Sequence, residues 1–323
     1  MADLDAILNG FVDSDIVVAA SDISRSSASR EWLKERIKVQ ISTRNAEPRL
    51  EPSEPFVHYG SYFKRTNIGS VEEFDLLVCI DSSWGVFSQE GVPIGYGVGT
   101  AYPNPKYNAE YLKPDGSGVS GQALVRWLHN VVYAAVVPYG VKAPVLNEQT
   151  VTVELENSEV VVELVPGGVF NSSTGRRFYN ISSGYTDDWT LTAPREDVDE
   201  LNATALSRAN FRNVVRVAKA IVRNYGLPIP SFAIERALVA YAKRTTWSES
   251  FQIEVRWGLK DLADQLRGSF VADPFDQRRN LLSGNTGTSG TLLAKVAEVL
   301  DFATTMTSQI EARTLVLRTL RAE

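Results

Sequence analysis

The spacing of apolar residues changes near residue 197 of this chain of 323 residues. Before that point, the runs 74–80, 150–155 and 160–165 are rich in Val, Leu and Ile and predict strands. After it, apolar residues recur with the spacing of amphipathic helices. The sequence therefore predicts an α+β fold, with strands and helices in residues 1–197 and a helical lobe in residues 198–323.

The individual strands and helices follow from the same patterns. In chain order we predict an amphipathic helix over 26–42, a loop over 43–56, a turn over 57–61, a strand over 74–80, an irregular segment over 82–118, a helix over 121–137, and an antiparallel hairpin of 150–155 with 160–165. We expect Pro166, Gly167 and Gly168 to end the hairpin. Four long helices are then predicted, over 198–225, 231–243, 251–266 and 290–321.

Composition narrows the classes of function. A formal net charge of -6 argues against a large nucleic-acid surface, because phosphate binding depends on clustered Lys and Arg. The single cysteine, Cys79, lies in an apolar run and is expected to be a buried side chain in a reducing cytoplasm. The sequence shows neither a signal peptide nor the ~18 consecutive apolar residues of a membrane span, so we expect a cytoplasmic protein without a membrane anchor.

Two acids, Glu73 and Asp75, flank Phe74 at the start of a predicted strand. Because successive side chains of a strand point to opposite faces, the two carboxylates share one face and repel each other. A shared proton or a bound cation relieves such repulsion. The alternative is a solvated strand end, where acids are ordinary.

A third acid, Glu163, lies among valines and a leucine in the second strand of the hairpin. A carboxylate inside a buried strand is costly unless it is paired or coordinates a metal. As a third metal ligand, Glu163 would complete the set that two-metal nucleotidyl transfer requires. Glu154 and Glu159, on or beside the same hairpin, are expected to be surface acids.

A Gly-Ser pair, Gly60 and Ser61, precedes the first two acids. The glycine lets the backbone come close to a phosphate, and the serine offers a hydroxyl and an amide. Lys64 or Arg65 can approach the same charge, and Arg176 with Arg177 forms another basic pair. Mg²⁺ bound by carboxylates and substrate phosphates would complete a phosphoryl or nucleotidyl transfer site.

These motifs resemble those of a known family. Residues 60–78, GSYFKRTNIGSVEEFDLLV, and 160–168, VVVELVPGG, are similar to the polymerase β-like nucleotidyltransferases, and within these to the cGAS/DncV-like enzymes that include cyclic GMP-AMP synthase. Weaker matches in the order found in the helical lobe of these synthases and of oligoadenylate synthetase are DDWTLTAP at 187–194, ALSRANFRNVVRVAKAIVRNYG at 205–226, PSFAIE at 230–235 and ADPFDQRRNLL at 272–282.

The resemblance implies a polymerase β-like nucleotidyltransferase core with a mixed or antiparallel sheet, and a helical C-terminal lobe across a central cleft. It implies that Glu73, Asp75 and Glu163 hold two Mg²⁺ (or Mn²⁺) ions while a ribose hydroxyl attacks the α-phosphate of an NTP, with ATP or GTP as candidate substrates. This chain has Glu163 where the family usually has aspartate.

Several residues would contact the nucleotide if the resemblance holds. Gly60, Ser61 and Lys64 would lie on the triphosphate, Lys219 would contact phosphate, and Ser231 would touch the nucleotide. The alternatives are a solvated helix lysine for Lys219 and a helix cap for Ser231. Tyr185 or Trp189 is a candidate for stacking on a base, and a core position is the alternative for each.

Other site types find little support. With one cysteine, His58 and His129, the chain lacks the ligands of the zinc insertion in animal cyclic GMP-AMP synthase, so zinc-dependent DNA sensing is not expected. His58 lies close to Gly60, and a turn or core position is the alternative to a site role. Neither histidine has a Ser or Cys partner motif. The run GYGVG at 95–99 does not follow a strand and open a helix, so it is weak evidence for a dinucleotide site.

The predicted function is therefore synthesis of a cyclic di- or trinucleotide second messenger that acts on a separate effector, in antiphage or innate immune signalling. One alternative keeps the metal site and makes a linear oligonucleotide, or transfers NMP onto protein or RNA. The other is an inactive binding scaffold of the same fold.

Overall fold

The computed structural model describes residues 3–16, 20–44, 48–68, 72–81, 109–114, 119–155, 160–171, 177–182, 189–274, 279–282, 284 and 286–323. The chain forms two compact units. The sheet unit comprises Ala19–Phe63 and Val71–Asp197, and the helical unit comprises Met1–Val18, Lys64–Ser70 and Val198–Glu323. The helical unit thus includes two segments from the front of the chain, and the division into domains at residue 197 stays a prediction.

The helices and strands follow one another along the chain in an order that begins and ends with helices. They are α1 (Leu4–Phe11), α2 (Ala20–Ser42), β1 (Phe56–Tyr59), α3 (Gly60–Phe63), β2 (Glu72–Ile80), α4 (Gly121–Val136), β3 (Val145–Leu146), β4 (Val151–Leu155), β5 (Val160–Asn171), β6 (Arg177–Ser182), β7 (Trp189–Thr192), α5 (Pro194–Ser207), α6 (Phe211–Asn224), α7 (Ser231–Arg244), α8 (Phe251–Arg267), α9 (Gly287–Thr305) and α10 (Gln309–Arg321). Within the described residues, no helix is long and apolar enough to cross a membrane.

One mixed sheet holds all seven of these strands. Its order is β1-β2-β5-β4-β3, and β6 pairs with β5 and β7. The β2–β5 pair is parallel, and the other pairs are antiparallel. The predicted α+β class, the mixed sheet and the hairpin of β4 with β5 are confirmed. The turn of that hairpin, 156–159, lies outside the described residues.

Strand β5 does not end where the sequence predicted. It continues through Pro166, Gly167 and Gly168 to Asn171, so the expected stop at these residues is wrong. Its pairing with β4 ends at Leu164, and its pairing with β6 begins at Gly167, so the proline falls between the two partners on that edge. A Cβ on Gly167 would lie 2.8 Å from Cδ1 of Leu77, which explains why a glycine fits inside this strand.

The two faces of the sheet are packed differently. Phe74, Leu76 and Val78 of β2 are fully buried. They belong to the larger of the two apolar clusters on this sheet, which also includes residues of α2 and α4. Leu77 and Cys79, on the opposite face, belong to a small second cluster. Because side chains alternate along β2, Glu73 and Asp75 lie on the same face as this small cluster. Burial of Cys79 confirms its predicted structural position.

Three other predicted elements differ from the structure. The turn predicted over 57–61 is instead strand β1 followed by the single helical turn α3. The helix predicted over 198–225 is broken into α5 and α6, because Asn210 adopts a left-handed conformation with φ of 58°. The helix predicted over 290–321 is broken into α9 and α10, and the Ser308 side chain caps the second by accepting from the amide of Glu311.

The remaining helix predictions are close to the observed bounds. The helices predicted over 26–42, 121–137, 231–243 and 251–266 correspond to α2, α4, α7 and α8. Most of the irregular segment predicted over 82–118 lies outside the described residues, as does the run GYGVG.

The helical unit buries an ionic cluster between α6, α7 and the segment Lys64–Ser70. Nζ of Lys64 donates to Oε2 of Glu235 at 2.7 Å, and Nζ of Lys219 donates to Oε1 at 2.5 Å. The hydroxyl of Thr66 also donates to Oε1, at 2.6 Å. Lys64, Lys219 and Glu235 are each at most 3% exposed. One buried carboxylate therefore binds two buried ammonium groups.

Burial alone would raise the pKa of Glu235, but the adjacent Lys219 and Lys64 lower it from 4.5 to about 2. The folded chain therefore binds this proton less readily than the unfolded chain does. The resulting stabilisation is complete above pH ~4.5 and is lost as the pH falls toward the folded pKa.

We predict that the free energy of unfolding falls more steeply between pH 4.5 and 2 in the wild-type protein than in Glu235→Gln. At neutral pH the same variant should be about 3–5 kcal/mol less stable, because it removes the carboxylate that two buried ammonium groups share. Urea denaturation at successive pH values measures both effects. Parallel pH profiles for the two proteins would contradict the assignment of this titration to Glu235.

Candidate active site

The candidate site is organised by a row of four side chains across the sheet. Tyr59 of β1 lies opposite Asp75 of β2, Asp75 lies opposite Glu163 of β5, and Glu163 lies opposite Thr152 of β4. Directly opposed residues on neighbouring strands present their side chains on the same face. The third acid is therefore on the same face as Asp75, and adjacent to it.

Glu73 belongs to the same face, two residues before Asp75 on β2. The electrostatics of Glu163 reflect this arrangement. Burial raises the pKa of Glu163, and the negative charge of Glu73 raises it further. Both effects show that ionised Glu163 is destabilised here, which is the condition a bound cation would relieve.

Gly60 lets the Asp75 carboxylate lie against the backbone of the chain. It has a φ of 78°, and a Cβ built on it would lie 1.6 Å from Oδ2 of Asp75. Any side chain at this position would therefore occupy the space of the carboxylate, in addition to the strain of a left-handed conformation. Gly60 begins α3 directly after Tyr59, so the turn from β1 into α3 fixes this close approach.

Tyr59 is a member of the site that the sequence did not reveal. Burial raises the pKa of its phenol well above the ordinary value, and the charges of Asp75 and Glu163 raise it further. The phenol therefore stays protonated beside two carboxylates. Its only sequence signal was its place immediately before the Gly-Ser pair.

A cavity of about 860 Å³ opens beside the third acid. It is lined by Gln122, Val125, Arg126, Leu146, Asn147, Glu148, Gln149, Thr150 and Glu163. One lining residue is held in place, since the Asn147 amide donates to the hydroxyls of Thr150 at 3.3 Å and Thr152 at 2.8 Å. The volume is within the range of sites that hold a drug-sized ligand, about 300–1,000 Å³.

The donor set fits a hard divalent cation in chemistry and charge. The three carboxylates share one face, and carboxylate oxygens are the protein ligands that Mg²⁺ prefers. Among the described residues, however, no three side chains of ligand type are close enough together to enclose an ion as they stand. Binding therefore requires side-chain movement, and Glu73, which is exposed, has the freedom to move.

The other predicted nucleotide contacts lie as follows. Ser61 is in α3, next to Gly60. Lys64 and Lys219 are buried and form ion pairs with Glu235. The alternative of a solvated Lys219 is therefore wrong. Contact of either lysine with phosphate stays a prediction. Ser231 is exposed in the first turn of α7, where Pro230 occupies the cap position without a side-chain hydrogen bond. The predicted cap role of Ser231 is therefore wrong.

Several further candidates have structural roles. Trp189 is 2% exposed and donates to the backbone oxygen of Val119, so stacking on a base is wrong and the core alternative is confirmed. Arg177 donates to Glu54 at 2.6 Å. Glu154 pairs with Lys142 and is a surface acid, as predicted.

His58 is half-buried, and its ring stacks on Phe63 with centroids 4.5 Å apart. Burial lowers the pKa of His58, and the nearby Arg30 and Lys34 lower it further, to about 4. Tyr185, Glu159 and Arg176 lie outside the described residues.

Comparison with known proteins supplies relatives of similar length. No protein-family model matches the chain. A protein of Bacillus cereus (strain VD146), described as a probable cyclic nucleotide synthase, is 23% identical over 268 residues, which is 81% of this chain and 75% of that protein. The structure of E. coli MS115-1 CdnC with ATP matches with a TM-score of 0.70 at 15% identity, over 99% of this chain and 98% of that chain. The apo form of Vibrio cholerae DncV matches with a TM-score of 0.68 at 13% identity, over 98% and 94%.

The chain thus has the fold of the cGAS/DncV-like nucleotidyltransferases, and the resemblance predicted from residues 60–78 and 160–168 is confirmed. CdnC and DncV are nucleotidyltransferases, and this chain shares their fold over nearly its whole length.

We predict that Gly60→Ala abolishes metal binding at the candidate site, whereas Gly140→Ala leaves it unchanged. Both glycines have a positive φ, 78° and 79°, so both alanines carry a similar backbone strain of about 1–2 kcal/mol. A Cβ at Gly140 meets nothing within 4 Å, whereas at Gly60 it displaces the Asp75 carboxylate. Melting temperatures and Mn²⁺ affinities of the two variants measure strain and site disruption separately. Equal Mn²⁺ affinity in both variants would show that the approach of Asp75 to Gly60 is unimportant.

Proposed function

We propose that this chain is a nucleotidyltransferase that uses Mg²⁺ or Mn²⁺ to join NTPs into a cyclic di- or trinucleotide second messenger. The proposal rests on one observation. Glu73, Asp75 and Glu163 lie on the same face of the sheet, because β2 pairs with β5 in parallel. A solvated strand end would not account for Glu163, whose pKa is raised by burial and by Glu73.

The three acids would hold two divalent ions, because Asp75 lies opposite Glu163 on the neighbouring strand and two residues from Glu73 on its own strand. When bound, such ions lower the pKa of an attacking hydroxyl and neutralise the triphosphate and the leaving pyrophosphate. Glu163 has one more methylene group than the aspartate usual in the family, and its half-buried side chain would still reach the face that it shares with Asp75.

The chain's own groups would position the substrates around these acids. Gly60 leaves its backbone open to close approach, and Ser61 follows it at the start of α3, where a hydroxyl and an amide can meet a phosphate. The cavity beside Glu163 has room for a nucleotide, and it is lined by amide side chains such as Gln122 and Asn147. Amides both donate and accept, as the edges of nucleobases do.

Cyclic products are favoured by the relatives. The Bacillus cereus relative is described as a probable cyclic nucleotide synthase, and CdnC has been solved with ATP. By analogy, ATP is the first substrate to test, and GTP the second. Release of the product to a separate effector in antiphage signalling, within the cytoplasm, is part of the same proposal. Zinc-dependent DNA sensing is not, because the chain has one cysteine and two histidines.

We predict that Asp75→Asn and Glu163→Gln each lower nucleotidyl transfer by about 100-fold or more, beyond the 10–100-fold typical of residues that only support a metal ligand. Glu154→Gln is the matched control, since Glu154 is a carboxylate on the neighbouring strand β4 already paired with Lys142. The assay incubates the full chain with labelled NTPs and Mg²⁺ or Mn²⁺, and then treats the products with phosphatase.

Each result of this assay bears on the proposal. A labelled product that resists phosphatase, made by the wild type and by Glu154→Gln alone, supports a cyclic synthase. Product that is wholly phosphatase-sensitive indicates a linear polymerase, and label on protein or RNA indicates NMP transfer. Absence of product with every nucleotide mixture, together with no rise in melting temperature on adding nucleotide and metal, would identify an inactive scaffold.

A further inference from the structure

Helices α8 and α9 of the helical unit pack side by side and run antiparallel. Near one end of the pair, Nη1 of Arg256 donates to Oδ1 of Asp301. Near the other end, a Cβ on Gly290 would lie 2.6 Å from the backbone oxygen of Ala263. The two helices are therefore in close contact, and close-packed helices present a rigid surface.

The outer side of this helix pair carries two exposed aromatic side chains. Trp257 on α8 is 53% exposed, and Phe302 on α9 is 61% exposed. They follow Arg256 and Asp301, whose ion pair shows that the two aromatic residues are at nearly the same level along the helices. Tryptophan is on average a highly buried residue, and it is a frequent anchor of protein–protein interfaces. Two exposed rings at one level indicate a surface that another protein covers.

A small cavity of about 80 Å³ lies between the two helices. It is lined by Arg256, Trp257, Lys260, Ala297, Glu298 and Asp301. Sites that hold nucleotides or other small ligands have volumes of about 300–1,000 Å³, so this cavity is too small for such a ligand. Its size suits part of one side chain from another protein.

Two opposite charges line the cavity without pairing. Lys260 on α8 and Glu298 on α9 are both exposed, and neither forms an ion pair within the part of the chain that the structure describes. The ammonium group of Lys260 instead lies 5.0 Å from the centroid of the Trp257 ring. Each helix thus presents one exposed charge to solvent, and the two charges differ in sign. We call Trp257, Lys260, Glu298 and Phe302 the α8–α9 face.

We propose that the α8–α9 face is a contact between two copies of this chain, related by a two-fold axis along the groove between the helices. Such an axis places α8 of each copy on α9 of the other and keeps every position at its level along the groove. Lys260 of one copy then faces Glu298 of the second copy, and the same pair forms again across the axis. Trp257 of one copy meets Phe302 of the other in the same way.

Charge complementarity is the reason for choosing a second copy as the partner. A face with one charge of each sign, on opposite sides of its groove, is complementary to itself under a two-fold rotation. Any other protein would have to supply the matching charges and an apolar surface of its own. The inference does not rest on the proposed enzymatic function, because the face contains none of the three acids.

The size of the face sets the expected strength of the dimer. The helices have 17 and 19 residues, so the face is about 25 Å long at 1.5 Å per residue. Two helices side by side are about 20 Å wide, which gives roughly 500 Å² for each copy. A typical specific interface buries about 800 Å² of each partner, so the dimer should be weak and depend on concentration.

The test measures the mass of the full chain by analytical ultracentrifugation over a range of concentrations. We expect wild type to dimerise, and Trp257→Ala to dimerise at least about 30-fold more weakly, as loss of an interface anchor implies. Phe270→Ala is the matched control, because Phe270 is an aromatic residue that is 47% exposed and lies outside both helices. This variant should dimerise like wild type.

An exchange of charges tests the two-fold arrangement directly. Lys260→Glu and Glu298→Lys should each weaken the dimer, because like charges would then face each other twice. A mixture of these two variants should form a dimer, because one copy then carries two acids and the other two lysines. Both positions are exposed, so these variants also supply the test if Trp257→Ala lowers the melting temperature.

The outcomes either support or overturn the proposal. Recovery of the dimer in the mixture, with loss in each variant alone, supports the two-fold contact. A wild type that stays monomeric at every concentration overturns it, as does a dimer that is unchanged in Trp257→Ala or a mixture that stays monomeric. Oligomers larger than a dimer would overturn the two-fold axis, because an isologous contact closes after two copies.

Discussion

The parallel pairing of β2 with β5 is the interaction on which the candidate active site depends. It sets Asp75 opposite Glu163 and Phe74 opposite Val162. The second pair is fully buried in the larger core, so the apolar face fixes the register. A slip of one residue would turn Glu163 to the other face and bury a carboxylate among apolar side chains. Packing on one side of the sheet thus determines the geometry of the charged groups on the other side.

Local patterns in the sequence were enough to find most helices and strands, but not the points at which they break. Apolar spacing continues across Asn210 and across Ser308, so it predicted one helix where there are two. The breaks depend on a left-handed residue and on a capping side chain, which periodicity does not register. The opposite error occurred at Pro166. The sequence predicted the end of a strand there, but β5 continues, because it changes partners on one edge at that residue.

Local sequence patterns also predicted only part of the candidate site. Alternation along one strand was sufficient to place Glu73 and Asp75 on a common face. The position of Glu163 beside them, and of Tyr59 on the other side, depends on pairing between strands distant in sequence. The buried partner of Lys219 was likewise unpredictable, because Glu235 belongs to the next helix and Lys64 to another segment. Sequence patterns singled out these charged groups as candidates, whereas tertiary contacts decided their partners.

The sheet unit contains a carboxylate whose ionised form is destabilised by its surroundings. Burial raises the pKa of Glu163, and the charge of Glu73 raises it further, so a divalent cation is the ligand that would offset the cost of ionising this side chain. In the helical unit, by contrast, the buried carboxylate of Glu235 is balanced by the ammonium groups of Lys64 and Lys219. The cost of ionising Glu163 therefore favours a ligand that brings positive charge to this face of the sheet, as a nucleoside triphosphate with its metal ions would.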